Sequence, residues 1–448
     1  MADDTAALAA EITAKHGTGK PAAPPEDAYF DRNGLRALDL AQGVFSMGPL
    51  AVGHDDELWA YEAGVWRPRP KVARARSTAL LGQRFRNTHA ANAESIVRAN
   101  VPEISCDAVP EYVNFRNTLY RWKDDETCDH TPAVMSTVQM HTVWDPAAVC
   151  PEFDKFLTEV LPPDALDMVW ELIGYLMFSG NPLHKAVMLT GAGRNGKGTL
   201  LRVMKALLGE ENVTAVALAD MTTDKFTTAR LFGKTANIAG DIDATYLEST
   251  AKFKAITGND LVSGEYKFGQ KFDFVPWAVP MFSANKIPGS ADVTTGYLSR
   301  WIVLHFPNSF LGREDDGLTG RLTTSAELSG IAAKAMPALR TLMERGNFEL
   351  PESAKEALAD FTRKVDQVRT WIDDCAELGP AFPHLNRTWL YECYKRWVHR
   401  DGGGVHPLKA HEFFDRLKAA GAIPAKVMGV RGFYGIRVAD PVEGGWRP

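Results

Sequence analysis

Apolar residues change their spacing several times along the chain, and each change predicts a different kind of element. From Trp59 to Trp66 large apolar side chains alternate around Glu62-Ala63-Gly64, the period of two expected of a half-buried hairpin. Ser77 to Arg98 and Phe153 to Phe178 carry apolar residues three and four apart, so each reads as a helix with one buried face. Residues 110–151 break into short extended runs and turns. From Lys185 to Phe310 apolar runs such as Ala186-Val187-Met188-Leu189 and Trp301-Ile302-Val303-Leu304 alternate with helical stretches, as buried parallel strands do. Helical spacing covers 317–378. Thr388–Arg400 and Leu408–Ala420 read as two helices, the second stopped by Gly421, and 425–437 as two strands about glycine turns.

This pattern predicts an α/β protein in five parts. Residues 1–26 form a short Ala-rich helix and a Pro-rich flexible lead-in. Residues 27–150 are an N-terminal α+β domain. Residues 151–315 are an α/β core with its preceding helices, 316–378 a helical segment packed on that core, and 379–448 a compact C-terminal module. Helix, helix and β-wing in that order is a winged-helix plan. No internal repeat is visible.

Composition narrows the class. Of the 448 residues, 45% are apolar and 24% charged, ordinary values for a globular chain. No apolar run nears the ~18 residues that span a bilayer, and the N-terminus lacks the regions of a signal peptide. The five cysteines are scattered without a CxxC pair, which argues for a reducing cytosol and against a zinc ribbon. Net charge is −6, yet Trp66–Arg98 holds eight Lys or Arg against one acid, and Leu385–Arg437 ten against four. Two basic regions on an acidic chain point to separate phosphate-facing surfaces.

The strongest chemical signal is Gly191-Ala192-Gly193-Arg194-Asn195-Gly196-Lys197-Gly198-Thr199, between an apolar run and a helix that ends before Gly209. A strand, a glycine loop and a helix start form a cradle in which backbone N–H groups turn onto phosphates. Lys197 would reach the β- and γ-phosphates. The strict pattern places a Mg²⁺-binding hydroxyl directly after the lysine. Here Gly198 intervenes, leaving that role to Thr199, about 100° further round the helix. Thr235–Asp243 is a short extended run ending in Asp241 and Asp243, which in a strict strand share one face and could hold Mg²⁺ and orient water. The run Ala278–Asn285 ends in Asn285, either a turn former or an amide on the γ-phosphate. Arg300 precedes the run Trp301–Phe306, where it is either a surface residue or an arginine finger.

The order GxGxNGKGT, GDID, Lys254-Ala-Ile-Thr-Gly258-Asn-Asp260, Phe-Ser-Ala-Asn285-Lys-Ile-Pro288 and Ser-Arg300-Trp-Ile-Val-Leu resembles superfamily 3 helicases. The likeness is to phage and plasmid primase-helicases related to the poxvirus replicative primase-helicase, and covers about 55–437. The resemblance implies an AAA+-type P-loop core with ATP and Mg²⁺ as ligands. It implies that Gly191, Gly193, Asn195, Gly196, Lys197, Gly198 and Thr199 bind nucleotide, with Thr199 and Asp241 on the metal. Asp241 and Asp243 are the implied acids, Asn285 the sensor, and Arg300 a finger acting on the neighbouring subunit. Where the family often has a second arginine, this chain has Ser299. The implied assembly is a hexameric ring moving 3′ to 5′ on single-stranded DNA in replication of a phage or mobile element, in the cytoplasm of a bacterial host. No primase domain is recognisable, so priming is expected from a separate primase or initiator.

Glu265–Phe274 reads as a hairpin whose loop, Gly269-Gln270-Lys271, pairs Phe268 with Phe272 and Tyr266 with Phe274. In similar helicases such a hairpin enters the pore, which makes Lys267 and Lys271 candidate DNA contacts. In the C-terminal module Lys409, Arg416, Lys418 and Arg431 are candidate contacts to duplex at a fork. The alternative reading is an origin-binding initiator scaffold that uses ATP to assemble without processive unwinding.

Overall fold

The computed structural model describes residues 26–447, apart from 54–55, 244, 268, 270, 291, 402–406 and 440–445. The predicted lead-in falls almost wholly outside the described residues. The α/β expectation holds. At the centre lies a sheet of five parallel strands: β1 (Ala186–Thr190), β2 (Val213–Thr214), β3 (Ala236–Ala239), β6 (Val279–Ala284) and β7 (Trp301–His305). The hairpin strands β4 (Val262–Glu265) and β5 (Lys271–Phe274) form a separate antiparallel pair. Strand order in the central sheet is β2-β3-β6-β1-β7, so the chain crosses over between strands that are neighbours in space.

Both sheet faces are covered, and the strands show why. Val187, Leu189, Ile238, Met281, Ile302 and Leu304 enter one apolar cluster. Their alternates Ala186, Met188, Phe282, Ala284, Trp301 and Val303 enter another. A strand buried on both sides is apolar at nearly every position, which is the near-continuous run seen in the sequence. On the first face pack the helices Leu166–Met177, Lys197–Leu208 and Ser325–Arg345; on the second, Phe253 and Phe361 lie against Trp301.

Two predicted helices are each two. The 77–98 stretch is Val72–Leu81 and Asn87–Asn100. The first ends at Gly82, whose φ of 48° no helical residue adopts. The 153–178 stretch is Pro151–Val160 and Leu166–Met177, because Pro162 and Pro163 supply no N–H to continue the ladder. The hairpin at Trp59–Trp66 is present as Leu58–Glu62 against Val65–Pro68.

The apolar clusters divide the chain differently from the sequence reading. Tyr29 to Val97 close a small core of their own. Val113, Phe115, Tyr120, Trp122 and Trp144 instead join the main core, so the region expected to end the N-terminal domain packs with the sheet. The C-terminal cluster takes in Val368, Trp371 and Ile372, upstream of the expected boundary at 379. In that module the helices Arg387–Asp401 and Ala410–Ala419 precede an antiparallel pair, Ile423–Val427 with Val430–Tyr434, which Leu385–Asn386 joins as a third strand. No helix among the described residues is long and apolar enough to cross a membrane.

Candidate active site

The glycine loop leaves β1 at Thr190 and enters the helix Lys197–Leu208. Sterics enforce two of its glycines. A Cβ on Gly191 would lie 2.0 Å from Asn195 Nδ2, and one on Gly196, at φ 92°, 2.7 Å from Val160 Cγ1. Asn195, 3% exposed, braces the loop from within. Its Nδ2 donates to Phe306 O at 3.3 Å, and its Oδ1 accepts from Lys197 Nζ at 3.0 Å. Lys197 Nζ also donates to Gly191 O at 2.8 Å and Asn285 Oδ1 at 3.1 Å. Burial lowers the Lys197 ammonium below its ordinary pKa, and the charge of Asp241 opposes that shift. The lysine is thus held at the mouth of the loop by neutral oxygens, an arrangement suited to receiving an anion.

Asp241 and Asn285 follow the ends of β3 and β6, strands adjacent in the sheet, and meet the loop over a cleft of about 1260 Å³. β3 stops at Ala239 and Asp241 turns away at φ 47°. Asp241 and Asp243 therefore share no strand face. Asp241 lines the cleft, and Asp243 is exposed and outside that lining. Ser283 on β6 pins the turn: Asp241 N donates to its Oγ at 3.0 Å, and Ile242 N to its carbonyl at 2.9 Å. Sequence reasoning passed over Ser283, although it is the one hydroxyl in the otherwise apolar Val279–Ala284.

Thr199 has a cationic neighbour. Its hydroxyl accepts from Arg202 at 3.1 Å, which puts a cation beside the oxygen assigned to a metal. Among the described residues no three His, Cys, Asp or Glu side chains gather as a metal cage.

Arg300 lies at the other end of the sheet. Its carbonyl accepts from Ala186 N at the start of β1, and its side chain donates to Thr257 Oγ1 at 2.9 Å, to Gly296 O and to Lys254 O. It does not reach the glycine loop of its own chain. Lys185, also missed from sequence, stands next to it and donates to Ser299 O at 2.7 Å. Burial, and after it the Arg300 charge, lowers the Lys185 pKa.

The hairpin register is corrected. Phe272 pairs with Gly264, Phe274 with Val262, and Lys271 with Glu265. β4 ends at Glu265 and Lys271 opens β5 instead of sitting at the tip; Phe268 and Gln270 lie outside the described residues. Phe272 and Phe274 meet Phe232 edge-on at 5.2 and 5.3 Å. Lys267 and Lys271 are exposed, as are Lys409, Lys418 and Arg431. Arg416 faces inward and pairs with Asp366 at 3.0 Å, its side chain 13% exposed, so it is not the outward phosphate contact expected. Much of the first basic region is also engaged internally: Arg76 bonds Val44 O and Gly48 O, and Arg67, Arg69 and Arg98 pair with Glu211, Glu62 and Glu94.

Comparison with known proteins agrees with this layout. Residues 58–162 match the family described as "D5 N terminal like". Residues 189–300, from the glycine loop to Arg300, match a family of unknown function (DUF5906). Two structures of the NrS-1 C-terminal region align with this chain. One A-form apo structure aligns at 11% identity over 89% of this chain and 99% of that one, with a TM-score of 0.50. Another aligns at 10% identity over 88% and 98%, with a TM-score of 0.49. The D5-type match supports a primase-helicase-like relationship for this chain, in keeping with the motif resemblance.

Proposed function

We propose that the chain is an ATP-dependent DNA helicase of the superfamily 3 kind. In this reading it has an AAA+-type core and a winged-helix module, and acts as a ring, hexameric in number, that moves 3′ to 5′ on single-stranded DNA. The observation that carries the proposal is the meeting of Lys197, Asp241 and Asn285 at the ends of three adjacent parallel strands, with Arg300 at the far edge. Lys197 and the loop N–H groups would bind the triphosphate. Asp241 would position the attacking water and Asn285 the γ-phosphate. Mg²⁺, when bound, would neutralise phosphate charge, held by Asp241 and phosphate oxygens with several waters, as this ion prefers. Since Arg300 cannot reach its own loop, its role is in the site of the next subunit, with Lys185 beside it as a second cation. Exposed Lys267 and Lys271 would track the strand, and Lys409, Lys418 and Arg431 the duplex at a fork. A separate primase or initiator would supply the primed template.

One observation favours the initiator-scaffold alternative: only one of the two expected acids lines the cleft, which suits slow hydrolysis. Strand displacement on a forked duplex decides between the two, with Lys197→Ala as control. ATP-driven displacement that the control abolishes supports the helicase. ATP-dependent assembly on DNA without displacement supports the scaffold.

A further inference from the structure

The cleft holds a cation that neither the motif nor the resemblance assigns. Arg202 lies one turn into the loop's helix, and helical side chains lean back toward the N-terminus. Its guanidinium consequently returns to the phosphate loop. NH2 donates to Thr199 Oγ1 at 3.1 Å, and Nε to Thr319 Oγ1 at 3.3 Å. The two hydroxyls fix its position without neutralising it. Two other arginines lining this cleft are compensated: Arg194 pairs with Glu314 at 3.0 Å, and Arg321 with Asp315 and Glu152; the fourth, Arg313, lies over the Phe310 ring and donates to Ser309 O at 3.1 Å, away from the helix that carries Gly198. For Arg202 no ion pair with a carboxylate is found among the described residues. Gly198 completes the picture. A Cβ there would stand 3.4 Å from Arg202 NH1, so the guanidinium lies beside the position from which a strict phosphate loop extends its metal-binding hydroxyl.

We propose that Arg202 is a second phosphate-binding cation of the cleft, taking the place of that hydroxyl. This rests on the nucleotide reading of the loop and deepens it. A guanidinium next to Gly198 binds phosphate oxygens directly through paired N–H groups. It also repels a divalent ion from the same corner, which leaves Asp241 as the protein's metal contact. The site therefore binds nucleoside polyphosphate with little help from metal, while hydrolysis still needs metal on the Asp241 side.

The test is equilibrium binding of a fluorescent ATP analogue to the full chain, in Mg²⁺ and in EDTA, with inorganic tripolyphosphate as competitor. Wild type should bind nearly as well in EDTA as in Mg²⁺. Arg202→Ala should weaken binding in EDTA by about 10- to 100-fold, the effect of a charge-assisted hydrogen bond, and weaken tripolyphosphate competition equally. Arg202→Lys, a point charge without the fork, should recover part of the loss. Arg202→Ala binding like wild type in EDTA would overturn the proposal while leaving the nucleotide site standing, provided Lys197→Ala abolishes binding. Nucleotide bound equally by wild type and Lys197→Ala would overturn the nucleotide reading itself, and this proposal with it.

Discussion

Replacing Ser283 by alanine tests whether the turn at Asp241 is held in a working position. Asp241 sits at φ 47°, a left-handed conformation that costs an L-residue roughly 1–2 kcal/mol, less for Asp than for most. The hydrogen bond from its N–H to Ser283 Oγ, 3.0 Å long with the serine 2% exposed, offsets about 1 kcal/mol of that. Without the hydroxyl the turn loses its counterweight. A shift of about 1 kcal/mol lowers the ratio of poised to unpoised conformers about fivefold. Asp241 is solvent-exposed, so its released N–H can bond water and global stability should hardly change. Ser283→Ala should therefore lower kcat for ATP hydrolysis by up to about fivefold, leave KM unchanged, and move Tm by only ~1–2 °C. Steady-state phosphate release and thermal melting measure these quantities. Ser283→Thr keeps the hydroxyl and should recover much of the loss. Turnover in Ser283→Ala equal to wild type would refute the clamp.

Arg300→Ala should leave the fold intact and cut ATPase by about 10³-fold; mixing it with Lys197→Ala subunits should restore some turnover, and no recovery would argue against a finger acting between subunits. Lys267→Ala combined with Lys271→Ala should weaken single-strand binding and flatten the log–log salt slope by about 1.4, from ~0.7 per phosphate contact. An unchanged slope would move the DNA path elsewhere. Burial raises the Asp292 carboxyl, but hydrogen bonds from Lys254, Thr250 and Thr294 outweigh it and hold the group below the usual range. A folded pKa below the unfolded one means stability fully present above about pH 3.9 and lost as pH falls through the folded value. Asp292→Asn should thus melt below wild type at neutral pH, and the gap should close under acid; a gap constant down to pH 3 would contradict this.

The central sheet was legible because a strand covered on both sides leaves a nearly continuous apolar run, as in Ala186–Leu189 of β1, Val279–Phe282 of β6 and Trp301–Leu304 of β7. The glycine loop was legible because its backbone calls for glycine at Gly191 and Gly196, where a Cβ would clash, and at Gly193, at φ 92°. What the sequence hid were decisions made between distant segments. The hairpin register could slide without changing faces: moving Phe272 from Phe268 to Gly264 is an even step. Tertiary contact favours the observed register, since a Cβ on Gly264 would approach Ala229 Cα to 3.1 Å, tighter than an ordinary contact, so glycine packs there best. Asp243 was misjudged because strand alternation was carried past Ala239, where the backbone reverses hand. Arg416 and much of the Trp66–Arg98 run were counted as surface charge because no local pattern announces Asp366, Glu211 or a backbone carbonyl as a partner. The prolines at 162 and 163 did announce a break, and helical spacing on either side obscured it.

Asp366 is the sole residue between the helix Glu352–Val365, which lies on the central sheet, and Gln367–Cys375, which belongs to the C-terminal cluster. Its carboxylate binds Val368 N and Arg416 at once, and the preceding Val365 carbonyl accepts from Ser290 N in the stretch that follows Asn285. Such a joint leaves little slack. The C-terminal cluster is kept at a set distance and bearing from the cleft beside Lys197 and Asn285, as a tool head is kept by a short stiff handle.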